Sequence, residues 1–183
     1  MAKLVYGLMS SLDGYVADER GEITLPVPEE PLHRWFNHRM QRVTGSIYGR
    51  RMYEVMSYWD GDLDPAAEVE REFAEHYQAT PKWVVSSTLS AVGPNATLLR
   101  GDLETEVRRL KDSHDGEIEV AGPELAAGLT ELGLIDEYWL FLMPVVLGGG
   151  KPAFTAAMPD GLELAGMEEL PQQVALVKYR RPS

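Results

Sequence analysis

The chain contains no cysteine, which excludes disulfides, thiolate nucleophiles and thiolate metal sites together and suits a reducing compartment. Basic residues are scarce, 17 Lys and Arg against 29 Asp and Glu, for a formal charge of −12. Nucleic-acid binding relies on clustered cations that displace counterions, so a nucleic-acid partner is not expected. No apolar run approaches the ~20 residues of a membrane helix. The longest, Tyr138 to Leu147, is broken by Pro144. No basic segment followed by an apolar stretch and a small-residue cleavage site opens the chain, because Met1 to Met9 already alternates like a strand. A cytoplasmic protein without a membrane partner is expected. His33 and His38 are five apart, off the i, i+4 spacing that puts two ligands on one helix face. No metal site is expected, and each of the four histidines is assigned a surface or solvated position.

What is present reads as one compact domain spanning residues 1–183, long enough to bury a sizeable core. Residues 3 to 9 form a first strand, followed by a turn-rich loop, SSLDGYVADERGE. From Glu30 to about Val43, Leu32, Trp35, Phe36 and Met40 recur at helical spacing behind acidic residues that favour a helix start. Ser46 to Tyr48 is a short strand that turns at Gly49 into a helix. Pro65 to Tyr77 reads as an acidic surface helix, Lys82 to Val85 as a strand, and Asp102 to His114 as a helix stopped by Gly116. Glu117 to Ala121 is the next strand, and Gly122-Pro123 opens a further helix. Asp136 to Val146 belongs in the sheet interior, while Leu162 to Glu169 and Gln173 to Tyr179, separated by Pro171, read as an antiparallel hairpin or as nearby strands. This βαβ rhythm predicts a three-layer α/β/α fold with a mixed, mainly parallel sheet and antiparallel C-terminal strands.

Three of these strands end in small or polar residues: Gly49-Arg50-Arg51, Ser86-Ser87-Thr88 and Gly122-Pro123-Glu124. In an open α/β sheet, ligands sit beyond the carboxyl ends of the strands, where helix N-termini offer unpaired N–H groups to anions. Glycines at such junctions let the backbone approach a pyrophosphate, and arginines add planar, charge-assisted donors. Taken singly, each glycine is an ordinary tight turn. Neither the GxGxxG fingerprint nor a Walker sequence occurs.

SLDGYVA, YGRRMYE, VVSSTL, EVAGPEL and LIDEYWLFLMPVVLGGGKPAF follow one another in an order and spacing that resembles the dihydrofolate-reductase-like family. The similarity is to its riboflavin-biosynthesis reductase (RibD C-terminal) branch and covers Lys3 to about Tyr179. The resemblance implies NADPH as cofactor. It places Gly49, Arg50, Arg51 and Met52 near the phosphates and Ser86, Ser87 and Thr88 near the 2′-phosphate. Gly122, Pro123, Glu124 and Leu125 match a second phosphate loop. Asp13, in the LDG element, becomes the candidate for orienting substrate or relaying a proton. Tyr15, Trp35, Tyr53 and Gly149 are candidate substrate contacts, with Lys151 and Phe154 on the rim of the glycine-rich segment.

Two departures bear on substrate. Dihydrofolate reductases carry an acidic residue a few positions before an aromatic pair in the first helix, whereas Pro31-Leu32-His33-Arg34 precedes Trp35-Phe36 here. Glu29 or Glu30 would have to replace it. Riboflavin-pathway reductases often have a basic residue after LDG, where this chain has Tyr15. The expected activity is hydride transfer from NADPH to a small heterocycle, resembling 5-amino-6-(5-phosphoribosylamino)uracil reductase. Dihydrofolate reductase and a catalytically silent, cofactor-binding homodimer are the alternatives. The apolar Tyr138-Trp139-Leu140-Phe141 suits a core or a dimer contact, and a homodimer is expected.

Overall fold

A computed structural model describes every residue except Leu63, Pro65, Ala66 and Ser183. Its main sheet has eight strands: β1 (Lys3–Ser10), β3 (Val43–Gly49), β4 (Lys82–Val85), β5 (Ala96–Leu99), β6 (Glu117–Ala121), β7 (Glu137–Leu142), β9 (Glu163–Leu170) and β10 (Val174–Arg180). Their order is β5-β4-β3-β6-β1-β7-β10-β9. All pairings from β5 to β7 are parallel, and β10 runs antiparallel to both β7 and β9. β2 (Tyr15–Ala17) and β8 (Lys151–Pro152) make a separate two-stranded ladder.

Alternation along the strands sorts side chains between two helical layers. Leu4, Tyr6, Ile47, Trp83, Ile118, Val120 and Tyr138 pack on one face with Val107 and Leu110 of α4 (Leu103–Ser113) and Ala126 and Leu129 of α5 (Pro123–Glu131). On the other face lie α1 (Glu30–Met40), α2 (Arg50–Met56) and α3 (Glu68–Ala79). There Leu32 of α1 packs with Phe141, Val174 and Leu176, while Tyr53 and Tyr77, from α2 and α3, pack with Tyr48 and Val84. Together these make the three-layer, dihydrofolate-reductase-like α/β/α arrangement.

Arg39 bridges the gap between those last two clusters. Its guanidinium lies 2.8 Å from Glu117 and 3.6 Å from Glu119, and over the Trp139 ring at 4.6 Å. Gly7 leaves room for it, since a Cβ there would stand 3.4 Å from Arg39 Nη2.

Several boundaries differ from the sequence reading. α1 ends at Met40 and Val43 opens β3, because its β-branched side chain is buried on the sheet. α3 begins at Glu68, and the Pro65 start expected for it lies outside the described residues. The long apolar segment after Asp136 is strand only through Leu142; Pro144, which cannot donate to a ladder, falls in the loop beyond. His33 is buried, packed edge-on against Trp59 and Phe73 with Nδ1 3.1 Å from Asn37 Oδ1, which corrects its surface assignment. Among the described residues no helix is long and apolar enough to cross a membrane.

Candidate functional site

Parallel pairing brings the three strand–end junctions side by side. Gly49 is opposite Val85, and Tyr48 is opposite Ala121, so Gly49, Ser86 and Gly122 line the carboxyl edge of three adjacent strands. Gly49 and Gly122 directly precede α2 and α5, and neither helix start has a side-chain cap. The first-turn N–H groups are therefore left for another acceptor, except at Pro123, which has none. The two junctions also face each other. A Cβ on Gly49 would lie 3.8 Å from Leu125 Cβ, and one on Gly122 would lie 3.6 Å from Met52 Cβ. Gly122 has φ +106°, a conformation that side-chain-bearing residues rarely adopt. Glycine at these two positions keeps the space between α2 and α5 clear.

The two arginines differ. Arg50 is paired with Glu54, 3.1 Å away on the same helix. Arg51 makes no ion pair among the described residues, and its charge helps hold the Glu124 carboxyl below its usual range. The larger cause of that lowering is the hydrogen bond from Lys151 Nζ to Glu124 at 2.8 Å, which ties β8 to the first turn of α5.

Beyond β4, Ser86 Oγ accepts the Thr88 and Leu89 N–H groups at 3.2 and 3.1 Å. This turn leaves the Ser87 and Thr88 side chains exposed. Arg100, immediately after β5, donates to the Leu89 carbonyl at 2.6 Å and adds a cation at the same loop. Sequence reasoning missed Arg100 because β5 was not recognised; the Leu-Leu-Arg-Gly run, a strand ending in a cation and a glycine, was the available signal.

At the carboxyl ends of β1 and β7, two loops are zipped together. Asp13 accepts the Leu147 N–H at 3.1 Å and the Gly148 N–H at 2.8 Å. A Ser11 hydrogen bond, more than these two, lowers the Asp13 carboxyl below the usual range. Ala153 N donates to Gly14 O at 2.8 Å, and Tyr15 and Ala17 pair with Pro152 and Lys151. Asp13 already occupies two N–H groups of the glycine loop, and Glu19 Oε1 would stand 3.4 Å from a Cβ on Gly149, so two carboxylates lie where a phosphate would have to enter.

The four candidate substrate contacts do not converge. Tyr15 and Gly149 belong to the zipped loops. Trp35 packs edge-on against Phe36 and Phe141, and its indole N–H donates to Glu168 at 3.3 Å. Tyr53 is in the other cluster, its hydroxyl accepting the Gly93 N–H at 2.7 Å. The residues expected to form one pocket, Asp13, Tyr15, Trp35 and Tyr53, thus have their packing partners in different places, and Tyr53 supports the loop after Ser86. The pterin-type carboxylate is also missing from α1, where Leu32 is fully buried and Glu30 is bound to Arg34 at 2.8 Å.

A doubly covered, mainly parallel sheet with facing glycine junctions at its carboxyl edge defines a dihydrofolate-reductase-like domain, and comparison with known proteins narrows the class. Residues 2–176 match the RibD C-terminal domain, and the chain belongs to that family. Two Bacillus subtilis (strain 168) relatives are the uncharacterized proteins YyaP and YwjB. YyaP is 27% identical, with 83% of this chain and 80% of the relative covered; YwjB is 28% identical, with 95% of each covered. Among solved structures, a Shewanella sp. PV-4 protein provisionally assigned to riboflavin biosynthesis superposes with a TM-score of 0.75 at 25% identity, both chains being fully covered. RibD of Acinetobacter baumannii gives 0.70 at 17% identity, over 98% of this chain and 58% of that one. Dihydrofolate reductase of Enterococcus faecalis, complexed with NADP(H), gives 0.66 at 12% identity, over 99% and 97%. The last two likenesses bear on fold alone.

Proposed function

We propose that this protein is an NADPH-dependent reductase that transfers a hydride to a small heterocycle of the kind reduced in riboflavin biosynthesis. The observation that carries this reading is the facing pair of glycine junctions, Gly49 toward Leu125 and Gly122 toward Met52, with Ser86 just beyond the neighbouring strand. Side chains at either glycine would fill the space between α2 and α5. Bare, it fits a diphosphate lying along the strand ends, with backbone N–H groups and Arg51 as donors. Ser87, Thr88 and Arg100 supply a second polar cluster, one strand further out, that fits an additional phosphate.

When bound, the reduced nicotinamide supplies the hydride. The protein's own contribution is positioning. Asp13 pins the glycine loop at the carboxyl ends of β1 and β7, and Lys151 carries that fixation across to Glu124 and α5. A carboxylate ionised this readily, with both oxygens engaged, suits holding a loop better than delivering a proton. The single carboxylate within α1, Glu30, is paired with Arg34, which favours an aminouracil-type substrate over dihydrofolate.

Titration of the native tryptophan fluorescence with NADPH and NADH tests the reading. Tight binding of NADPH with weaker binding of NADH is expected, followed by turnover of 5-amino-6-(5-phosphoribosylamino)uracil but not of dihydrofolate. Binding of neither nucleotide would overturn it.

A further inference from the structure

A hydride added to an unsaturated carbon leaves an electron pair on the neighbouring heteroatom, which must then take a proton. Asp13, ionised readily and bound to two N–H groups, is unsuited to supply it. Glu119 is placed to do so. It shares the face of α1, α2 and α3 with Glu117 and Ala121, because Ile118 and Val120 of the same strand point to α4 and α5. It lies two residues, about 7 Å, below Ala121, the last residue of β6.

Two observations mark Glu119 as the floor of a ligand pocket. Its neighbours in register, Val5 and Ser46, are 0% and 1% exposed, yet the Glu119 side chain is 18% exposed. With helices on both faces, a side chain in the middle of the sheet reaches solvent between helices. α1 is tied to α3, through Asn37 to the Val69 carbonyl and Glu72 and through His33 to Phe73. No hydrogen bond or ion pair joins α1 to α2 among the described residues. The second observation is a patch of buried polar atoms beside Glu119. The hydroxyls of Ser46 and Tyr48 complete no hydrogen bond to a described residue. Arg39 Nη1 donates to Glu117 at 2.9 Å, but Nη2, although within ion-pair range of Glu117 and Glu119, is aligned to donate to neither. Buried polar groups are almost always paired, so this unmatched patch calls for polar atoms brought by a ligand.

We propose that Glu119 is the proton donor of the reduction, meeting the substrate heteroatom at the floor of a pocket between α1 and α2. This rests on the reductase reading above. The nicotinamide hydride adds to the unsaturated carbon of the substrate, and the π pair passes to the nitrogen or oxygen bonded to it. That atom takes the Glu119 proton: the carboxyl O–H bond breaks, an N–H or O–H bond forms, and water returns a proton to the carboxylate through the same opening. Arg39 Nη2 and the Tyr48 hydroxyl, beside the carboxyl, suit the carbonyl and N–H groups along the edge of a flat ring such as an aminouracil.

A donor must hold its proton at the working pH. Burial raises the Glu119 carboxyl above its usual range, Arg39 opposes that effect and Glu117 adds to it. Of the other elements around it, β3 presents Tyr48, kept neutral by its own burial, and β1 presents Val5 and Gly7, which carry no charge. Glu117 is the rival carboxyl. It lies two residues further from the strand ends and within 3 Å of both terminal Arg39 nitrogens, 2.9 and 2.8 Å away.

Glu119→Gln keeps the shape and removes the proton. In single-turnover reduction of 5-amino-6-(5-phosphoribosylamino)uracil, followed by NADPH absorbance, the variant should be slower by about a hundredfold. Its NADPH affinity, read by tryptophan fluorescence, should stay near that of the wild type. The wild-type rate should fall as pH rises through the elevated value of Glu119, a fall that Glu119→Gln lacks, and Glu119→Asp should recover part of the rate. A merely structural role would leave the pH profile in place. A folded Glu119→Gln that binds NADPH and matches the wild-type rate and pH profile overturns this assignment alone. So does a wild-type rate indifferent to pH above the ordinary carboxylate range, whatever the variants do. A wild type that binds no NADPH, or leaves the aminouracil unreduced, overturns the proposed function as well.

Discussion

Asp13 and Gly148, 135 residues apart in sequence, meet through a 2.8 Å hydrogen bond from the Gly148 N–H to the Asp13 carboxylate. The other carboxylate oxygen takes the Leu147 N–H, so a single side chain orders the start of the glycine loop. Asn at this position retains one acceptor but turns an NH2 group toward an N–H. Asp13→Asn should therefore raise amide exchange at Leu147 and Gly148 roughly tenfold, the effect of losing a hydrogen bond to a charged group. NADPH affinity should fall several-fold while the melting temperature changes little. The sign with pH follows from the direction of the shift: a carboxyl held below its usual range stabilises the fold above that range and loses the contribution only as pH falls through the lowered value. Wild-type protection at these two amides should persist at mildly acid pH. Exchange that is unchanged in Asp13→Asn would show that the loop is ordered by something else.

Gly150 is the tightest point of the same assembly. It has φ +134°, and a Cβ there would overlap the Ala17 carbonyl oxygen, so Gly150→Ala must break the pairing of Tyr15–Ala17 with Lys151–Pro152. A loss of about 1–3 kcal/mol is expected from overpacking and backbone strain, together with weaker NADPH binding. Gly128 provides the contrast. It sits within α5, and a methyl group added there would meet nothing within 4 Å among the described residues, so Gly128→Ala should stabilise the protein by about 0.5–1 kcal/mol. Urea denaturation of the two variants reads both signs.

These loop contacts mark where sequence stopped being informative. Gly49, Ser86 and Gly122 were legible because each junction is local, an apolar run turning at a small residue into a polar or helical segment. That they share one edge followed from parallel βαβ topology. From its own residues Asp13 reads as an Asp-Gly turn, and only the family resemblance singles it out, since its partners lie far along the chain. The ladder of Tyr15–Ala17 with Lys151–Pro152 is too short, and too dependent on tertiary contact, to leave a periodic signature. β5, four residues behind Gly93-Pro94-Asn95, was missed for the same reason, and Arg100 with it. The contact of the Tyr53 hydroxyl with the Gly93 N–H, forty residues away, leaves no local trace in the sequence.

Arg50 and Arg51 are adjacent in sequence and separate in role. Arg50 must give up its pairing with Glu54 before it can hold a phosphate, while Arg51, with no ion pair among the described residues, lies near enough to Glu124 in the first turn of α5 for its charge to lower that carboxyl. Arg51→Ala should weaken NADPH binding by about tenfold or more, the scale of a charge-assisted hydrogen bond. Arg50→Ala should weaken it less, because the wild-type ion pair offsets part of the gain. Arg100→Ala should affect NADPH more than NADH if its cation serves the additional phosphate. Isothermal titration with both nucleotides separates the three, and a greater loss from Arg50→Ala than from Arg51→Ala would reverse the assignment.

Glu119 makes the opposite pH argument to Asp13. It lies on β6 near Tyr48, and burial raises its carboxyl above the usual range, the nearby Arg39 opposing that effect and Glu117 adding to it. A carboxyl raised on folding favours the native state below its ordinary range, and that contribution is lost as pH rises through the elevated value. Glu119→Gln removes the titration. Whatever its offset from losing one partner of Arg39, which keeps Glu117 at 2.8 Å, the stability of the variant relative to wild type should rise as pH increases from the carboxylate range toward neutrality. Denaturant midpoints across that window measure the slope. A flat difference would mean that Glu119 titrates in the native protein as it does in the unfolded chain, and that Arg39 fully offsets the cost of its burial.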